Sequence, residues 1–167
     1  EVEENIALNT LGTIIHETLR VLYEPYIGQF LSAEDIKNCI KKIDEEVLRQ
    51  FKIVYKEGEI KKGRNLLAFE VAKRNVFNFL KLELQEIENG DAVKIIALEK
   101  TYERLLEYPK LPYPVLIKGN VDRIEQRNGK IRIIDYKTGK VEGKEVALKQ
   151  WDKLTDEIKN DKIIQVL

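Results

Sequence analysis

Apolar and polar positions along the chain follow two rhythms, a helical one toward both ends and an extended one in the middle. Leu8, Leu11, Ile15, Leu19 and Leu22 recur at helical spacing, and so do Ile36, Ile40, Ile43, Val47 and Phe51, which predicts two amphipathic helices. The second opens at Ser32, whose hydroxyl can accept from free backbone N–H groups while Asp35, three residues on, completes a capping-box pattern. A third helix is predicted through Leu67, Val71, Phe77 and Leu80, ending at the turn signal Asn89-Gly90-Asp91. Beyond it, β-branched and aromatic residues predict strands over 93–108, 115–126 and 130–137. The helical pattern returns from Glu145, anchored by Val146, Leu148, Trp151 and Leu154, and a last helix begins after Asn160 or Asp161. Helices, three strands and helices again predict an α/β domain with helices packed on a central sheet.

A length of 167 residues suits one domain spanning 1–167. Charged residues make up 35% of it, yet 29 basic and 29 acidic residues cancel, so no global field announces a nucleic acid or a membrane. With 43% hydrophobic residues, 9 Gly and 4 Pro, the composition excludes disordered and low-complexity classes. A single cysteine, Cys39, excludes an internal disulfide and a four-cysteine metal or iron–sulfur site, and it fits a reducing cytoplasm. No run approaches the roughly 18 apolar residues of a membrane span, and the acidic start Glu1-Val2-Glu3-Glu4 is the opposite of a basic signal-peptide start. The sequence contains no Met, and Ile163-Ile164-Gln165-Val166-Leu167 resembles the start of a helix, so the chain reads as a fragment of a longer polypeptide.

The most informative segment runs from Gly119 to Gly139. Asn128-Gly129 between two strand-like runs predicts a two-residue hairpin turn, since both central positions of such a turn need positive φ. That register sets Ile124 against Ile133, Asp122 against Asp135 and Asn120 against Lys137. Alternation then assigns Asp122, Ile124, Ile131, Ile133, Asp135 and Lys137 to one face, expected to be the core face, and Arg123, Glu125, Arg127, Lys130 and Arg132 to the other. Two opposed carboxylates about 5 Å apart need compensation. A raised pKa, a divalent cation taking oxygen ligands from both, or an ordinary ion pair between Lys137 and Asp135 are all open at this point. His16, the only histidine, flanks the apolar stripe of the first helix; a surface or capping role and a ligand role are both open, and no spacing rule ties it to Asp122.

Taken together, Leu11-Gly12-x-x-x-His16-Glu17, then Gly119-x-x-Asp122-Arg123-Ile124, then Asp135-Tyr136-Lys137-Thr138-Gly139 resemble the RecB-like branch of the PD-(D/E)XK nuclease superfamily. The resemblance runs from about residue 11 to the end of the chain. It implies a restriction-endonuclease-like core, with a central mixed sheet, an N-terminal helical portion and a hairpin carrying the site. It further implies that His16, Asp122 and Asp135, with the Tyr136 backbone carbonyl, hold a catalytic Mg²⁺ or Mn²⁺, and that Asp122, Asp135 and Lys137 are catalytic. Gln165 stands where the Gln of a Gln-x-x-x-Tyr motif belongs, although position 169, its Tyr, lies beyond the chain; Gln165 and Arg123 are candidate substrate contacts. Glu99 matches a position where relatives often carry Glu, and reads as structural rather than catalytic. The iron–sulfur variant of the branch is excluded by the single cysteine.

The activity so implied is metal-dependent hydrolysis of DNA, more exonuclease than endonuclease, within a larger repair or recombination protein of helicase–nuclease type. A nuclease-fold module that binds or scaffolds DNA without cutting it is the alternative. Between Lys118 and Lys153 there are ten basic and six acidic residues, a local excess suited to phosphates and equally to a solvated surface. Tyr136 and Trp151 read as packing residues rather than base-stacking platforms.

Overall fold

The computed structural model describes residues 8–54, 63–107 and 113–138. The chain divides into two compact units, Glu1–Ile134 and Asp135–Leu167. In the first, α1 (Leu8–Tyr23) passes through a short 3-10 turn (Glu24–Tyr26) to α2 (Ala33–Lys41), α3 (Ile43–Val54) and the long α4 (Gly63–Glu88). The strands β1 (Val93–Leu106), β2 (Val115–Arg127) and β3 (Lys130–Ile134) follow. Among the described residues four helices and a three-stranded sheet make an α/β fold consistent with a restriction-endonuclease-like architecture, and the sheet there is antiparallel throughout, in the order β1-β2-β3. The helices expected from Glu145 onward, with Trp151, lie outside the described residues.

The second predicted helix is interrupted. Lys42 closes α2 by donating its N–H to Cys39 O at 3.0 Å, and α3 restarts at Ile43 with Asp44, Glu45 and Glu46 in its first turn. Three acidic residues suit a helix N-terminus, where backbone N–H groups and the helix dipole favour negative charge. The capping box at the start of α2 forms as expected: Asp35 N–H donates to Ser32 Oγ at 3.2 Å, and Ser32 N–H donates to Asp35 Oδ2 at 2.8 Å.

α1 packs on α3 and α4, and α2 packs on α4. Ile14, Leu19 and Tyr23 of α1, Ile36 of α2, and Val47 and Phe51 of α3 are all buried. On α4 the buried stripe is Ala72, Val76, Leu80 and Glu83, whereas Leu67, Val71 and Phe77 are exposed. Leu80 of the predicted stripe is buried as expected, and the rest of the buried face is rotated from the prediction: Ala72 and Val76 are small enough to let the helix approach its neighbours, and Phe69 rather than Phe77 meets Phe51, edge to face at 5.4 Å. Among the described residues no helix is long and apolar enough to cross a membrane.

Asn128 and Gly129 form the β2–β3 turn at φ +51° and +82°. The predicted register holds from Arg127–Lys130 to Arg123–Ile134, with Ile124 against Ile133. The expected assignment of faces does not hold. Arg123 and Glu125 are fully buried, while Ile131 and Ile133 are 62% and 69% exposed. The physical reason is pairing: Glu83, on the buried stripe of α4, meets Arg123 at 2.6 Å, so helices cover the charged face of the hairpin.

Candidate metal centre

Three elements bring one polar side chain each to the same place. His16 projects from the middle of α1, Glu99 from β1 and Asp122 from β2. On the sheet, Leu98 pairs with Arg123 and Lys100 with Val121, so Glu99 stands across from Asp122. Two irregularities of β1 accompany that position. The register shifts between Ile95 and Ala97, a bulge that re-aims the side chains beyond it, and Glu99 adopts φ +43°, where a residue with a Cβ is strained.

His16 Nδ1 lies 3.6 Å from Asp122 Oδ2 and 3.8 Å from Glu99 Oε1. Those separations exceed hydrogen-bond length. The Asp122 side chain is 12% exposed, against 26% for His16 and 28% for Glu99, so the cluster opens to solvent on the His16 and Glu99 side. Burial raises the Glu99 carboxyl above the ordinary glutamate range, and the negative charge of Asp122 adds to the effect, which His16 partly offsets. The facing carboxylates expected from the sequence are Asp122 and Asp135; the β2–β3 pairing ends at Arg123–Ile134, and the pair that the strand register opposes is Glu99 and Asp122.

The donor set fits a divalent cation. One nitrogen and two carboxylate oxygens lie within 4.8 Å of one another. Ligands about 2.1 Å from a shared ion stand roughly 3 to 4 Å apart, so a modest contraction brings these three to one centre. Two carboxylates suit Mg²⁺ or Mn²⁺, and the imidazole favours Mn²⁺.

Asp135, Tyr136 and Lys137 follow β3 in the second unit. There Lys137 Nζ and Asp135 Oδ2 are 2.7 Å apart, both side chains substantially exposed, and Tyr136 is buried. Gln165 lies outside the described residues. Arg123 is corrected as a substrate contact: it is fully buried, hydrogen-bonded to Glu83 at 2.6 Å and ion-paired with Glu125 at 2.5 Å, and its guanidinium is not presented to solvent.

Glu99, read from the sequence as structural, stands inside the cluster. The signal that finds it is the β1–β2 register, and the connection between those strands is not a two-residue turn from which a register can be counted. A comparison with family models matches residues 1–156 to the PD-(D/E)XK nuclease superfamily. No curated protein and no solved structure matches the chain at a significant level.

Proposed function

The chain belongs to the PD-(D/E)XK nuclease superfamily, and on that premise we propose that it is a metal-dependent nuclease that hydrolyses the phosphodiester bonds of DNA. The observation that carries this reading is the convergence of His16, Glu99 and Asp122 from a helix and two strands onto one partly open cluster. His16, Glu99 and Asp122 would hold Mg²⁺ or Mn²⁺, with Asp135 and the Tyr136 carbonyl as further donors. Such an ion, when bound, polarises the scissile phosphate, offsets charge in the in-line transition state and lowers the pKa of an attacking water.

The remaining work falls to the protein. Asp122, the least exposed of the three, anchors the donor set; His16 and Glu99 border the open side where a phosphate enters. Lys137, held at 2.7 Å by Asp135, keeps an ammonium group for the attacking water or a phosphate oxygen. Basic residues between Lys118 and Lys153 other than the buried Arg123, together with Gln165, supply backbone contacts to DNA. The Gly119-x-x-Asp122 and Asp135-x-Lys137 motifs, with His16 upstream, support the RecB-like branch, exonuclease action and a place within a larger, cytoplasmic DNA repair or recombination protein of helicase–nuclease type.

Cleavage of linear and circular DNA, single- and double-stranded, with Mn²⁺ or Mg²⁺ tests the reading. Asp135→Ala and Lys137→Ala should abolish cleavage while leaving the fold intact. Retained cleavage in either refutes the role given to that residue, and a folded protein that binds metal and DNA without cutting supports the scaffolding alternative.

A further inference from the structure

A second polar assembly is built around the residue next to Asp122, on the hairpin face that the sequence reading set opposite the expected core face. Arg123 follows Asp122 on β2 and is fully buried, and its guanidinium reaches three elements at once. It hydrogen-bonds Glu83 of α4 at 2.6 and 3.4 Å, forms an ion pair at 2.5 Å with Glu125 of its own strand, and stacks on the Tyr23 ring of α1 with Cζ 4.6 Å from the centroid. Tyr23 Oη in turn donates to Glu83. Arg127, 2.9 Å from Glu125 and 3.4 Å from Glu83, balances the second carboxylate.

We propose that Arg123 is a positioning residue that fixes Asp122 against His16. The two assemblies share their elements. Tyr23 lies seven positions after His16, about two turns along the same face of α1, so the helix that carries the imidazole also carries the ring under Arg123. Asp122 and Arg123 are neighbours on β2, so the strand that carries the carboxylate also carries the guanidinium. A shift of α1 along the sheet that separated His16 from Asp122 would therefore break the Arg123–Tyr23 stack and the Tyr23–Glu83 hydrogen bond together.

Stability alone is a poor reason for such an assembly, because well-packed apolar groups generally serve as well as a buried ion pair. Directional bonds do what apolar packing does not. A planar fork bound through both nitrogens to the two Glu83 oxygens and stacked on Tyr23 permits one register of helix against strand, where apolar side chains tolerate several. The inference rests on the metal-site reading above for its consequence, though not for its geometry.

The charge-balanced variant Arg123→Met with Glu83→Gln removes the fork, keeps an acceptor for Tyr23 and leaves Glu125 with Arg127. Its imidazole resonances in metal-free protein report the site without any metal, since His16 is the only histidine. The expected result is a cooperatively folding protein with shifted His16 resonances, Mn²⁺ affinity lower by about tenfold or more by calorimetry, and reduced kcat with KM for DNA little changed. Arg123→Lys, which keeps the charge and loses the fork, should show the same signature with smaller size and carries the test if the double variant does not fold. Unaltered His16 resonances and unaltered Mn²⁺ affinity in a folded variant, with binding lost in Asp122→Ala, overturn the positioning role alone. Shifted resonances in a protein that never binds Mn²⁺ support the positioning of His16 and overturn the metal reading instead.

Discussion

His16 Nδ1 and Asp122 Oδ2 stand 3.6 Å apart although 106 positions separate the two residues in the chain. Nothing local joins them; the packing of α1 against the sheet does. With Glu99 at 3.8 Å from the same nitrogen, the pair forms a donor set suited to a divalent cation.

Binding of that cation should stabilise the fold by linkage. At a Mn²⁺ concentration one hundred times the dissociation constant, a site present only in the folded state contributes about 2.7 kcal/mol. Thermal melts should show a Mn²⁺-dependent rise in Tm that EDTA reverses and that His16→Ala reduces. A Tm indifferent to Mn²⁺ counts against the centre.

Glu99 holds φ +43°, so its backbone should prefer glycine. Glu99→Gly is expected to be more stable than Glu99→Ala by about 1 kcal/mol, the reverse of the usual order within a strand. Both variants should lose Mn²⁺ affinity, because both lack the carboxylate. Chemical denaturation and calorimetry of the two proteins check the two halves of this expectation separately.

Cys39 is buried, donates to Leu22 O at 3.3 Å, and is pushed by burial up to about 11, against the opposing pull of the Lys42 charge. In the unfolded chain the thiol ionises near its ordinary value of 9.0. Between those values the folded state holds the proton more tightly, so this contribution to stability is complete below about pH 9 and is lost as pH rises toward 11. Denaturant titrations at pH 8 and pH 10.5 should show a larger loss in the natural protein than in Cys39→Ala. Alkylation of the folded protein at neutral pH should be slow.

Ser32→Ala removes the acceptor that caps α2 and should destabilise the protein by about 1 kcal/mol. The side-chain hydrogen bonds of Ser32 are with Asp35, and among the described residues none reaches His16, Glu99 or Asp122, so kcat measured below the melting transition should be unchanged. A large change in kcat would mean that the N-terminus of α2 is coupled to the site.

Local chemistry was legible in the sequence and long-range pairing was not. Asn128-Gly129 specified a turn, and the turn specified the β2–β3 register through Arg123–Ile134. Ser32 and Asp35 marked the start of α2, and Asp122 and His16 were singled out in advance of their meeting. The faces of the hairpin were misassigned because a charged residue is read as exposed unless its partner is known, and the partner of Arg123 is Glu83, forty positions earlier on α4. Glu99 was set aside for a related reason. Its position opposite Asp122 depends on a bulge at Ile95–Ala97 and on a connection too long to count across. The break at Lys42 carried a readable signal, the acidic run Asp44-Glu45-Glu46, masked by an apolar spacing that continues through it.

The central claim is that this cluster cuts DNA with a bound metal ion, and the most direct measurement is Mn²⁺-dependent cleavage by the natural protein beside Asp122→Ala. Loss of a metal ligand should reduce the rate by about a hundredfold or more, at least the upper end of what changes around a metal's outer shell do, with circular dichroism and melting behaviour in metal-free buffer preserved. Cleavage at an equal rate in a folded Asp122→Ala protein, or cleavage indifferent to EDTA, would contradict the account.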